Sequence, residues 1–160
     1  TGWDGGEVRQ FFRLFYMPEK RIQATISLNP QRGAGIVYFS LTSRTADGRT
    51  FTTTDYPFSN TMPHAPGVHV QQLPWAGTIP GLLESHPAWV ENHGVSVPDG
   101  TVEIDASTLP DLLSGELRQQ IRHNLSRGIL KESGGGMFRY SWRGCFYLWR
   151  QFIKDMVRLA

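Results

Sequence analysis

Cysteine is almost absent from this chain of 160 residues. Cys145 stands alone, which excludes an internal disulfide framework and any zinc site built from several thiolates. No apolar run approaches the roughly 18 residues that argue for a membrane span, and the N-terminus lacks the basic-then-apolar order of a secretory signal. Motifs that announce a particular chemistry are missing too. There is no phosphate loop with its lysine, no spaced dinucleotide fingerprint, no nucleophile elbow and no paired-histidine zinc helix, so neither a cofactor nor a metal is expected. Only 19% of residues are charged while 39% are hydrophobic and 12% aromatic, a balance that argues against disorder and can close a core. The expectation is one globular domain over residues 1–160. Because residue 1 is Thr rather than Met, the chain reads as a processed product or as an excised piece of a longer protein, expected to be a soluble, membrane-proximal part of it.

The sharpest shortage is local. Residues 50–117 contain no Lys or Arg and eight acids; residues 1–49 carry seven bases and four acids, and residues 118–160 nine bases and two acids. The formal net of +2 thus conceals blocks of −8, +3 and +7. Such asymmetry marks either an interaction surface or segments that fold against each other. Thirteen of the sixteen bases are Arg, a side chain suited to planar pairing with carboxylate or phosphate.

Hydrophobic periodicity predicts strands first and helices later. Residues 8–17 are rich in β-branched and aromatic side chains, and Ile22, Ala24, Ile26 and Leu28 alternate with Gln23, Thr25 and Ser27, the period of a half-buried strand. Pro18, Glu19 and Lys20 make a reversal between them, and Asn29 to Gly33 punctuate before a third strand at residues 36–42. Asp47 and Gly48 supply a hairpin turn before a fourth strand at residues 50–56. Residues 68–73 read as a short edge strand in a Pro- and Gly-broken stretch. Thr78 caps a helix with Pro80 in its first turn, which Pro87 is expected to divide and His93 and Gly94 to end. Pro98, Asp99 and Gly100 then suggest a hairpin between residues 95–97 and 102–104.

Two further helices are predicted. From Thr108, with Asp111 bonding back to the cap, Leu109, Leu113, Leu117, Ile121 and Leu125 recur at four-residue spacing as a core stripe. After Gly128 or the run Gly134 to Gly136, residues 137–142 return as a strand. From Arg143 onward, Cys145, Phe146, Leu148, Trp149, Phe152, Ile153, Met156, Val157 and Leu159 share roughly half the circumference of a helix, with Arg143, Arg150, Lys154 and Arg158 opposite. That apolar half is expected to pack on the sheet. Together these elements predict an α+β fold, its antiparallel sheet built mainly from the N-terminal half and covered on one face by C-terminal helices.

Function is read from two regions. The first is the basic, aromatic C-terminal part, where Arg118, Arg122, Arg143, Arg150, Lys154, Arg158 and Trp149 are the candidate binding residues of a non-catalytic domain that docks on a protein partner or an anionic membrane surface. Arg118 and Arg122, with Arg127, Lys131, Tyr140, Trp142 and Arg143, also form a basic and aromatic stretch of the kind that holds nucleic acid; without a finger, helix-turn-helix or base-reading sheet signature this is the less favoured partner. The second region, residues 55–93, carries His64, His69, His86 and His93 with Asp55, Glu84 and Glu91 and no Lys or Arg. Imidazoles beside carboxylates are the material of acid and base catalysis, and a small hydrolase is the alternative reading.

Overall fold

A computed structural model describes residues 11–31, 34–74, 78–105 and 107–159. The chain is α+β and divides into two compact units: the chain up to Pro57 with His69–Glu103, and Phe58–Val68 with the chain from Ile104 onward.

The sheet comprises β1 (Phe11–Met17), β2 (Ile22–Gln31), β3 (Ala34–Arg44), β4 (Thr50–Thr54) and β5 (Val68–Gln72), lying side by side in chain order. Strands β1 to β4 pair antiparallel. The register sets Ala24 beside Leu41, Leu41 beside Thr53 and Ser43 beside Phe51, so the apolar parity predicted from β2 continues across three strands on one face. Helix α1 (Ile79–Glu91) begins as predicted: Thr78 Oγ1 accepts the Gly81 N–H at 3.3 Å, and Pro80 occupies the first turn. It buries Leu82, His86 and Val90, spaced by four. Leu82 joins Ile22 and Leu41 in one cluster, and Val90 joins Phe51 and Val95 in another.

Several expectations are corrected here. Pro87 does not divide α1, which is continuous across it; an internal proline costs a helix about 3 kcal/mol, and the buried contacts of His86 before it and Val90 after it hold both halves to the sheet. Asn29, Pro30 and Gln31 form no loop but extend β2, paired with Ile36, Gly35 and Ala34. Among the described residues β1 reaches only as far as Leu28, and Pro30 is paired with Gly35 of β3. Residues 8–10, 32 and 33 lie outside the described residues. The hairpin expected around Pro98 to Gly100 is a loop. Its backbone groups go elsewhere: Val102 N–H donates to Arg44 C=O at 2.8 Å, and Arg21 Nη1 donates to the carbonyls of Pro98 at 3.1 Å and Thr101 at 2.7 Å.

The second unit contains α2 (Leu109–Ser126), β6 (Leu130–Gly134), β7 (Met137–Tyr140) and α3 (Trp142–Leu159), with β6 and β7 an antiparallel pair. Strand β6 was not predicted, and Trp142 opens α3 rather than ending β7. Thr108 makes no side-chain cap to α2. Asp105 takes that part, its carbonyl accepting the N–H groups of Thr108 at 3.1 Å and Leu109 at 3.2 Å while its carboxylate accepts from Ser107. The leucine stripe of α2 is not a buried core either: Leu117 is 58% exposed, and the helix buries Asn124 instead. Four-residue steps advance about 40° beyond a full turn, so the four steps from Leu109 to Leu125 spread the stripe over nearly half the helix; Leu109, Leu113, Ile121 and Leu125 are half-buried while Leu117, at its middle, is exposed. The inward side is held by amides. Asn124 Nδ2 donates to Pro63 C=O at 3.0 Å, and Gln120 Oε1 accepts the Ala65 N–H at 2.9 Å.

In urea denaturation, Leu82→Ala should cost about 2 to 5 kcal/mol, whereas Leu117→Ala should stay within about 0.5 kcal/mol. Equal losses at both positions would restore the stripe as core.

Candidate functional site

Helix α3 turns its polar side inward. Asp155 is buried, and its carboxylate accepts the Ser59 N–H at 2.8 Å and the Ser59 hydroxyl at 2.6 Å. Burial alone would raise the pKa of this carboxyl, but the two Ser59 bonds and the Arg158 guanidinium at 3.5 Å outweigh it and hold the group below its ordinary range. In the first turn of α3, Gly144 is buried so close to the Ile129 carbonyl oxygen that a Cβ there would lie 2.2 Å from it. No residue but glycine allows that approach, and it locks the first turn of α3 against the start of the hairpin. Ser141 N–H donating to the same carbonyl at 2.9 Å adds to it.

The consequence is an apolar face in water. Trp142, Cys145, Phe146, Trp149, Phe152, Ile153, Met156 and Val157 are all exposed, Trp149 at 58% and Trp142 at 79%. At about 100° per residue they occupy a continuous arc of roughly 140°. The expectation that this half of the helix packs on the sheet is overturned: the inward positions are already taken by Asp155, Gly144 and the half-buried Tyr147, Leu148 and Gln151. Of the cations, Arg150, Lys154 and Arg143 border the arc on one side and are exposed; Arg158 is engaged with Asp155, and the Arg143 side chain lies beside Gly128. Arg118 and Arg122 sit on the exposed side of α2, lining a separate open groove. Sequence reasoning placed Trp142 at the end of a strand and not in the arc, and it missed Asp155, whose standing as the lone acid of an otherwise basic helix was the available signal.

The histidines gather differently. His86 is fully buried, with Nε2 3.0 Å from Ser43 Oγ and Nδ1 2.8 Å from Thr53 Oγ1. Thr53 donates onward to Gln71 Oε1 at 3.3 Å, an acceptor only, so Thr53 accepts from Nδ1–H and Ser43 donates to Nε2. Burial lowers the His86 pKa from 6.5 to about 4. His69 stacks on Phe51 with centroids 4.9 Å apart, and His93, whose Nδ1 is bonded to Trp89 C=O at 2.9 Å, packs against His69, Phe51 and Trp89. Three of the four histidines thus meet around Phe51 and Trp89 as a ring stack. His64 belongs to the second unit, where its Nε2 is buried without a partner and burial lowers its pKa. Asp55 Oδ1 accepts the Phe39 N–H at 2.6 Å, and Glu84 and Glu91 are exposed on α1. The Ser43 to His86 contact has the length of a nucleophile–base pair, but the second ring nitrogen meets a hydroxyl where a triad has an orienting carboxylate. Among the described residues no group of three or more His, Cys, Asp or Glu is poised to hold a metal ion.

No protein-family model, curated protein or solved structure matches the chain.

Two measurements check this geometry. With its folded pKa near 4 against an ordinary 6.5, His86 refuses a proton that the unfolded chain binds. Stability present above pH 6.5 should therefore fall as the pH drops toward 4, by about 3 kcal/mol in full, and a His86→Gln variant should show a flatter pH profile in denaturant melts. Zinc added to chelator-treated protein should leave the melting temperature unchanged; a saturable rise at one equivalent would contradict that.

Proposed function

We propose that the protein is a non-catalytic docking domain that lays α3 in the plane of an anionic membrane surface, its apolar arc in the acyl boundary and its cations among the headgroups. The observation that carries this reading is the exposure of the whole arc from Trp142 to Val157 while Asp155 points inward. A patch of this kind is rare on a monomer without a partner. No helix among the described residues is long and apolar enough to cross a membrane, which favours lying on the surface over spanning. Each large apolar side chain buried on docking contributes about 1.5 to 3 kcal/mol, and each base near an anionic leaflet about 1 kcal/mol.

Charge favours lipid over a second copy of the chain. Arg143, Arg150 and Lys154 edge the arc, and the helix's one acid, Asp155, is buried with Ser59, so α3 offers no exposed carboxylate to a partner α3. In this reading the sheet, with helical cover on one face, is the scaffold and not the contact surface.

Cys145, the only cysteine and part of the arc, can carry an environment-sensitive fluorophore for the test. Its emission should shift to the blue on anionic vesicles and keep the shift at about 0.15 M salt, because apolar burial is not screened. Trp149→Asp with Phe152→Asp should abolish binding, and Arg150→Glu with Lys154→Glu should weaken it at least tenfold. A labelled arc that is protected only in a dimer, with no vesicle flotation, would assign the face to a second copy instead.

A further inference from the structure

We infer that the exposed side of α2 and the adjoining hairpin form a second, separate interface, built for duplex DNA. Along α2, Gly115, Arg118, Gln119, Arg122, His123 and Ser126 line an open groove of about 510 Å³. Arg118 and Arg122 are one turn apart, and neither makes an ion pair among the described residues. Gln119 and Ser126 are exposed on the same side, and Gly115 leaves open space at its upper end. Guanidinium, carboxamide and hydroxyl groups are those that pair with base edges and phosphates.

The hairpin supplies an independent observation. Lys131 on β6 stands directly opposite Arg139 on β7, both exposed and neither ion-paired among the described residues. Facing like charges destabilise a two-stranded sheet, and a polyanion laid against them removes that repulsion. The hairpin is also fixed to the helix: Gly128 turns the chain at φ 66°, Ile129 N–H donates to Asn124 C=O at 2.9 Å, and β6 starts at the next residue. The cationic hairpin is therefore held directly at the C-terminal end of the helix.

The chemistry of the stripe selects the ligand. On α2 it presents two guanidinium groups, a carboxamide, a hydroxyl and one imidazole, His123, with no aliphatic side chain to enter a lipid surface; the exposed Met137 and Phe138 belong to the hairpin. The major groove of B-form DNA, about 12 Å wide, admits an α-helix, whereas that of duplex RNA is deep and narrow. None of this rests on the membrane reading.

The test is fluorescence anisotropy of a labelled, mixed-sequence DNA duplex of about two helical turns, titrated with the full chain carrying Trp149→Asp and Phe152→Asp so that α3 is silenced. Four neutralised phosphates predict a slope of log affinity against log salt of about −3.6, roughly 150-fold weaker binding for a fourfold rise in salt. Arg118→Glu with Arg122→Glu should reduce the affinity at least tenfold and flatten the slope by about 2. Lys131→Glu should lower DNA affinity yet raise the melting temperature, since it replaces a repelling pair by an attracting one; a purely structural residue would not move the two readouts in opposite directions. The inference is overturned by absence of binding at low salt, by binding indifferent to these substitutions, or by equal affinity for single-stranded DNA, duplex RNA or polyglutamate. A loss seen only with anionic vesicles would overturn it too, by moving these bases to the lipid surface.

Discussion

The orientation of α3 depends on one buried carboxylate. Asp155 holds the Ser59 amide and hydroxyl from inside the second unit, and a charge taken out of water without such partners would cost several kcal/mol. Once that bond is made, rotating the helix to bury Trp149 and Phe152 would expel Asp155 from its donors and force a side chain into the space that Gly144 leaves against Ile129. The apolar arc is outward because the inward face is already committed to polar and close-packed contacts.

The same unit is organised by amides where a leucine core would be expected. Gln120 and Asn124 of α2 tie down the carbonyl of Pro63, and Gln120 also holds the Ala65 amide. Polar anchoring of this kind is directional, so it fixes which side of each helix faces in while leaving their chemically distinctive sides free. On α3 that side is apolar with a cationic edge; on α2 it is guanidinium and carboxamide. Two surfaces with different affinities follow from one mode of internal packing.

The first unit follows the opposite rule. Its core is Ile22, Leu41, Leu82, Phe51, Val90 and Val95, and its one fully buried imidazole is neutral and satisfied by hydroxyls on both nitrogens. Histidine there acts as a polar tie between α1 and strands β3 and β4, and His69 and His93 extend the apolar cluster as rings beside Phe51 and Trp89. The absence of Lys and Arg from residues 50–117 drew attention to these histidines, but a deficit of cations also describes a segment that contributes a strand and a helix to a core.

Local periodicity and turn chemistry were legible from the chain itself. The alternation around Ile22 to Leu28, the positive φ of Gly48 at the Asp47 turn and the Thr78 cap depend on neighbours a few residues away. The α+β class follows from that order of elements. Only the tertiary structure decided which side of each helix is buried, because amphipathic spacing defines two faces without stating which one meets protein. Asp155 finding Ser59, Asn124 finding Pro63 and Arg21 finding Pro98 and Thr101 are contacts across long stretches of sequence, and they outweighed the local signals of a leucine stripe, a hairpin turn and an apolar half-helix.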